Sequence, residues 1–175
     1  MVRYDAYNSE CLVFTFKDGL LSRIAHDLKM QVERFSIEVD DSTRQIKATF
    51  DPSSIQVVCA MVDGRDDPST LSKGDKKKIY DSIIKDVLRT RKHPEIRFDS
   101  TNVVERGEGF AVEGTLQMYG KSRSIQTSVR AQGGRWLAEI NIHQPDYGIK
   151  PYKAALGALK VKPDVQVRLS VPRES

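Results

Sequence analysis

The chain has 175 residues, 39% of them hydrophobic and 30% charged, with a formal net charge of +4 and a pI near 9.0. That length suits one domain over residues 1–175 with a core that needs no disulfide or metal staple, and the composition is that of an ordinary globular protein. No apolar run approaches the roughly 18 residues of a membrane-spanning helix, which excludes an integral helical membrane protein.

The N-terminus, MVRYDAYNSECLVFTF, has no apolar h-region and no small-residue cleavage site. As written it predicts a cytoplasmic protein, or a periplasmic one if a leader has been trimmed. Strand patterns then follow. Leu12, Phe14 and Phe16 alternate with Val13 and Thr15, Leu28, Met30 and Val32 with Lys29 and Gln31, and Ile46, Ala48 and Phe50 with Lys47 and Thr49. Between Val32 and Phe35 the apolar parity slips by one residue, as a bulge or bend in a long strand produces. The two cysteines, Cys11 and Cys59, lack metal-ligand spacing and sit in apolar runs, so both are expected as reduced thiols. Alternation turns Cys11 outward with Val13 and Cys59 inward with Val57, which predicts no disulfide between them.

A helix interrupts the strands. Ser72 and Asp75 form a capping box, and Ile79, Tyr80, Ile83, Ile84, Val87 and Leu88 make one apolar stripe at helical spacing. Asp81 precedes Lys85 by four residues, an exposed pair worth a few tenths of a kcal/mol. Period two returns in Ile96/Phe98, from Phe110 to Met118, in Ile125/Thr127/Val129, from Trp136 to Ile142 and from Val165 to Val171. Turn signals at 40–43, 51–54, 105–109, 119–122 and 132–135 separate these runs. Residues 147–164, rich in small side chains, read as a second, weaker helical or coiled segment that forms a flap. About eight strands with one apolar face each, plus a covering helix, predict a mainly β fold, a closed antiparallel barrel. Such a barrel is either filled by its own side chains or holds one elongated apolar ligand.

The chemistry-bearing residues are sparse. His26 and Asp27 are neighbours in an extended segment and point to opposite faces, so they make no direct dyad there; His26 is assigned a structural place at the barrel rim. His93 precedes Pro94 at a helix-to-strand junction, and His143 ends a strand. These isolated histidines form no metal-ligand pattern, so no metal and no catalytic residue is assigned. Asp63, Asp66 and Asp67 read as a solvated loop. No phosphate-binding glycine loop and no nucleophile elbow occurs. Lys73, Lys76, Lys77, Lys78, Lys85, Arg89, Arg91 and Lys92 form a basic cluster on or beside the helix. Exposed aromatics for base stacking are scarce near it, which argues against nucleic acid. The cluster reads first as a solvated helix face; its functional alternative is a transient anionic membrane surface, met through Lys76, Lys77, Lys78 and Lys85. A homodimer stays open.

The stretches FTFKDGLLSRIAHDLKMQVERFSIEV, FDPSSIQVV, DVLRTRKHPEIRFDST and VEGTLQMYGKSRSI resemble, in order and spacing, the motifs of the YceI-like family. The most specific pieces are Pro-x-Ile-x-Phe-x-Ser-Thr, here Pro94 to Thr101, and Gly-x-Leu-x-x-x-Gly, here Gly114 to Gly120. The resemblance spans about Leu12 to Val171. It implies a lipocalin-like barrel whose interior binds a polyisoprenoid chain such as a quinone tail, without catalysis and without a cofactor beyond that lipid. It also implies a fold role for His26. The inward candidates for such a ligand are Phe14, Leu28, Met30, Val32, Phe50, Val57, Cys59, Phe98, Val112, Leu116, Met118 and Trp136. Two rival readings stand beside it: an enzyme using His26 or His143 on a hydrophobic substrate in the same tube, and a barrel filled by its own side chains.

Overall fold

Alternating apolar and polar residues resolve into fourteen antiparallel strands in the computed structural model, which describes residues 1–19, 25–157 and 159–173. They are β1 (Val2–Asp5), β2 (Glu10–Thr15), β3 (Asp27–Val32), β4 (Phe35–Val39), β5 (Ile46–Phe50), β6 (Ile55–Val62), β7 (Arg65–Asp67), β8 (Ile96–Arg106), β9 (Gly109–Met118), β10 (Lys121–Gln132), β11 (Arg135–His143), β12 (Lys153–Ala154), β13 (Leu159–Lys160) and β14 (Asp164–Pro172). Twelve of them form one sheet in the order β1-β4-β5-β8-β9-β10-β11-β14-β2-β3-β6-β7, and β12 pairs with β13 alone.

The fold is mainly β and antiparallel, as expected, but the sheet has twelve strands rather than about eight, and its ladder does not close into a barrel. The cause is bending. The chain at 2–15, 27–39 and 46–62 turns so sharply that each stretch contributes two strands, with β1, β4 and β5 at one end of the order and β2, β3, β6 near the other. The result is a curled, lipocalin-like half-barrel whose two ends are joined through chain corners instead of a final row of hydrogen bonds. The parity slip after Val32 is one of these corners. Ser54, almost fully buried, takes the Arg34 amide on its hydroxyl at 2.9 Å and donates that hydroxyl to the Asp51 carbonyl at 2.7 Å. A buried corner must satisfy its freed backbone groups, and this serine does so.

Helix α1 (Lys73–Ser82) begins at the expected capping box: Asp75 N–H donates to the Ser72 hydroxyl at 3.1 Å, and the Ser72 amide donates to the Asp75 carboxylate at 3.0 Å. It runs on into a π-helical turn, Ile83–Val87. Tyr80, Ile83 and Ile84 pack on a buried cluster that includes Tyr4, Met30, Val32, Phe35 and Ile37, while Val87 and Leu88 reach a second cluster around Leu116, Met118, Tyr147 and Ile149. None of the helix residues is fully buried. Asp81 bonds Lys85 at 3.4 Å and also Lys77 at 3.1 Å. Among the described residues no helix is long and apolar enough to cross a membrane.

The segment at 147–164, read as helical or coiled, holds no α-helix among the described residues; its short helical turn, Ala155–Gly157, has Leu156 left-handed. A short helical turn at Gln144–Tyr147 leads into the β12–β13 hairpin, which is tied to the chain beyond β2 through Lys162 N–H to the Phe16 carbonyl and Asp18 N–H to the Lys160 carbonyl, both 2.8 Å. Alanine, leucine and lysine favour a helix, but short helices are marginal without a face to bury and Gly157 breaks the run, so here pairing outweighs local propensity.

Candidate functional site

The concave face of the curled sheet does not fill itself. Facing strands and the helix enclose a cavity of about 1120 Å³. Trp136, Ala138, Ile140 and Ile142 of β11 and Val165, Val167, Leu169 and Val171 of β14 line it on alternate positions. The six residue steps from Trp136 to Ile142, at ~3.3 Å each, give the lining a run of roughly 20 Å. Helix α1 and the turn after it cover the open side with Ile79, Ile83, Val87 and Leu88.

The two ends differ. At one, Arg44 sits in the turn between β4 and β5 with a left-handed φ of 59°, its amide donating to the Asp40 carbonyl at 2.7 Å. Its guanidinium pairs with Glu105 at 2.7 Å and lies 6.0 Å from the centre of the Phe110 ring. Phe110 meets Trp136 edge to face at 5.2 Å, and Arg173 lies 4.8 Å over the indole. Asp40 and Asp41 also reach the cavity here; hydrogen bonds from the Ser42 hydroxyl and then the Thr43 and Ser42 amides hold the Asp40 carboxyl down at about 2. At the other end Thr15, Ala25 and His26 meet Ile149, Tyr152, Leu159 and Val161 of the hairpin region. One end therefore offers fixed charge at an aromatic pair, and the other a closing hairpin.

Of the twelve inward candidates, nine line the cavity: Leu28, Met30, Val32, Phe50, Phe98, Val112, Leu116, Met118 and Trp136. Phe14, Val57 and Cys59 do not. Phe14 is buried, but its ring lies under Arg168 at 5.1 Å, and it pairs with Lys29 on the convex face. Val57 stands opposite Met30 and packs on the core beside the cavity. Cys59 is opposite Lys29, also on the convex side. Conversely Cys11, Val13 and Thr15 line the cavity. The expected facing of both cysteines is thus reversed, although they remain on opposite faces and both are free thiols. In β2 both parities are apolar, so alternation alone could not choose between Cys11/Val13 and Leu12/Phe14; the pairing of Val13 with Met30 decides it. Burial first, and the neighbouring Glu10 charge second, push the Cys11 thiol up to about 12.

His26 reaches the cavity wall beside the hairpin end. Asp27 does not orient it: its carboxylate accepts the Lys17 amide at 2.8 Å. Residues Ser22 to Ile24 of the motif before His26 lie outside the described residues. His143 instead pairs with Asp164 at 2.8 Å on the exposed outer side. His93 packs on Tyr119 with the rings tilted by 34° and their centres 4.1 Å apart. Of the basic helix residues, Lys78 reaches the cavity margin, while Lys77 and Lys85 share Asp81.

The model of the YceI-like domain matches residues 9–172. No curated protein sequence matches the chain. Among solved structures, the fold is similar to that of Burkholderia cenocepacia BcnA, with a TM-score of 0.66 at 15% identity over 97% of this chain and 99% of the other. It is also similar to a Campylobacter jejuni YceI protein, with a TM-score of 0.58 at 14% identity over 91% of this chain and 92% of the other. A mutant of that protein solved with a monobromobimane guest has a TM-score of 0.57 at 14% identity, over 91% of this chain and 92% of that one.

Proposed function

The chain belongs to the YceI-like domain family, and from that premise we propose that it is a noncatalytic binding protein for one long apolar molecule, a polyisoprenoid or isoprenoid quinone, carried or sequestered in the cavity. The observation that carries this reading is the cavity itself: about 1120 Å³, lined on alternate strand positions by aliphatic and aromatic side chains. At ~30 Å³ per water-sized group it has room for roughly 35 such groups. A barrel filled by its own side chains would leave no such space. Met30 and Met118 give the wall two flexible side chains that adapt to a branched chain.

Energetics make the ligand exchangeable. A chain of about forty carbons at ~0.3 kcal/mol per heavy atom gains ~12 kcal/mol over water, enough to hold it through the aqueous phase. Measured against a bilayer the apolar gain nearly vanishes, because lipid tails are as apolar as the wall. Selectivity then rests on shape and on the polar end, where Arg44 and the Phe110/Trp136 pair are available to a headgroup.

Catalysis needs an acid or base held in place, and the carboxylate next to His26 is committed to the backbone at Lys17. Trp136 is the one tryptophan of the chain, so its emission reports the cavity directly. Titration with a polyprenyl alcohol is expected to shift that emission with one molecule bound per chain. Ala138→Phe, which adds a ring inside the wall, weakens the binding while the fold persists; an unchanged emission, or equal binding by Ala138→Phe, contradicts the reading.

A further inference from the structure

The β12–β13 hairpin carries a charge arrangement that the interior of the protein does not explain. Lys153 and Lys160 are direct cross-strand partners. Like charges opposite one another destabilise a strand pair, and a two-stranded ribbon is marginal to begin with. From Tyr147 to Pro163 the sequence holds Lys150, Lys153, Lys160 and Lys162 and no aspartate or glutamate. Among the described residues none of the four forms an ion pair.

At the tip between the strands Leu156 is fully exposed, with a left-handed φ of 55° that a leucine rarely adopts. An exposed leucine alone needs no explanation. A strained one, at the tip of a cationic ribbon, has the composition of a membrane-interface element: an apolar residue to enter the acyl boundary and cations to meet acidic headgroups. The same ribbon is bonded to the chain beyond β2 and contributes Leu159 and Val161 to the cavity wall.

We propose that this hairpin is the docking tip of the protein for an anionic lipid bilayer, with Leu156 entering the interface and Lys150, Lys153, Lys160 and Lys162 facing the headgroups. The docking site expected from the basic helix is different. There Lys77 and Lys85 are already neutralised by Asp81, and Asp75 and Asp86 stand on the same helical segment. Contact through the hairpin also brings the His26 end of the cavity to the lipid. The docking claim itself does not rest on what the cavity holds.

The test is sedimentation of the full chain with vesicles of pure phosphatidylcholine and of phosphatidylcholine with phosphatidylglycerol. The expected result is binding to the anionic vesicles that weakens with added salt. At about fivefold in affinity per lysine, Lys153→Glu with Lys160→Glu weakens binding by well over tenfold. Leu156→Asn keeps the strands and all four lysines and suits the left-handed backbone, so it folds and still weakens binding several-fold. Lys76→Glu with Lys77→Glu leaves binding near that of the native chain. Equal binding to neutral and anionic vesicles, native-like binding by both hairpin variants, or loss on the helix substitutions alone overturns the proposal.

Discussion

Val57 and Cys59 are two positions apart on β6, yet they lie on opposite faces of the sheet: Met30 stands across from Val57 and Lys29 from Cys59. The register shifts between Lys29 and Met30, so Val58 is an extra residue on its strand. A bulge of this kind reverses every side chain beyond it. It sends Ala60, opposite Leu28, into the fully buried core and turns Cys59 outward.

The two cysteines are therefore expected to answer differently to substitution. Cys11→Phe adds a ring to the cavity wall and reduces uptake of an apolar fluorescent probe, whereas Cys59→Ala leaves uptake unchanged while lowering stability by about 1 kcal/mol, the scale of a small buried truncation. Probe titration and urea unfolding of both variants check this. Equal loss of uptake in both contradicts the facing assigned here.

Much of this arrangement was legible in the sequence, and the exceptions have local causes. The long strands from Ile96 to Val171 and the helix stripe were readable because each shows one period and one apolar face. The capping box at Ser72 was readable because its residue types are specific. Strand β2 was not, since Cys11, Leu12, Val13 and Phe14 are apolar on both faces. The Val58 bulge leaves no mark in the residue pattern, because Ile55, Val57, Val58 and Cys59 are all apolar. The hairpin at 153–160 was hidden by helix-forming alanine, leucine and lysine. Closure was misread because a bent strand and two short strands have the same alternation.

Gly114 marks a close approach rather than a turn. A Cβ there would collide with the Phe98 ring, which lines the cavity, and with the Asp99 carbonyl oxygen at 2.6 Å. Gly114→Ala is expected to cost about 1–3 kcal/mol by overpacking. Urea unfolding measures it, and a native-like midpoint contradicts the packing described.

Ser72→Ala removes the hydroxyl that accepts the Asp75 amide in the capping box of α1 and leaves only the Ser72 amide on the Asp75 carboxylate. Stability falls by about 1 kcal/mol, and because no residue of the helix is fully buried the loss frays the cover of the cavity. Amide exchange of residues 73–82 is expected to quicken more than that of β9 to β11. Uniform quickening across the chain contradicts a local cap.

The Cys11 thiol, raised by burial and then by Glu10 from 9.0 to about 12, gives an alkaline signature. Between these values the folded chain keeps a proton that the unfolded chain has lost. Its contribution is fully present below about 9 and is lost as pH rises towards 12. Native and Cys11→Ala proteins are expected to differ in urea midpoint by an amount that shifts against the native chain as pH climbs through this window. A difference independent of pH contradicts the burial of this thiol.

The most direct test of the central claim is solvent extraction of the purified protein, before and after incubation with membranes, followed by mass spectrometry. The account predicts one long isoprenoid or comparable apolar lipid per chain, and less of it in the Ala138→Phe variant. A clean extract in both conditions, from protein that is folded, contradicts it.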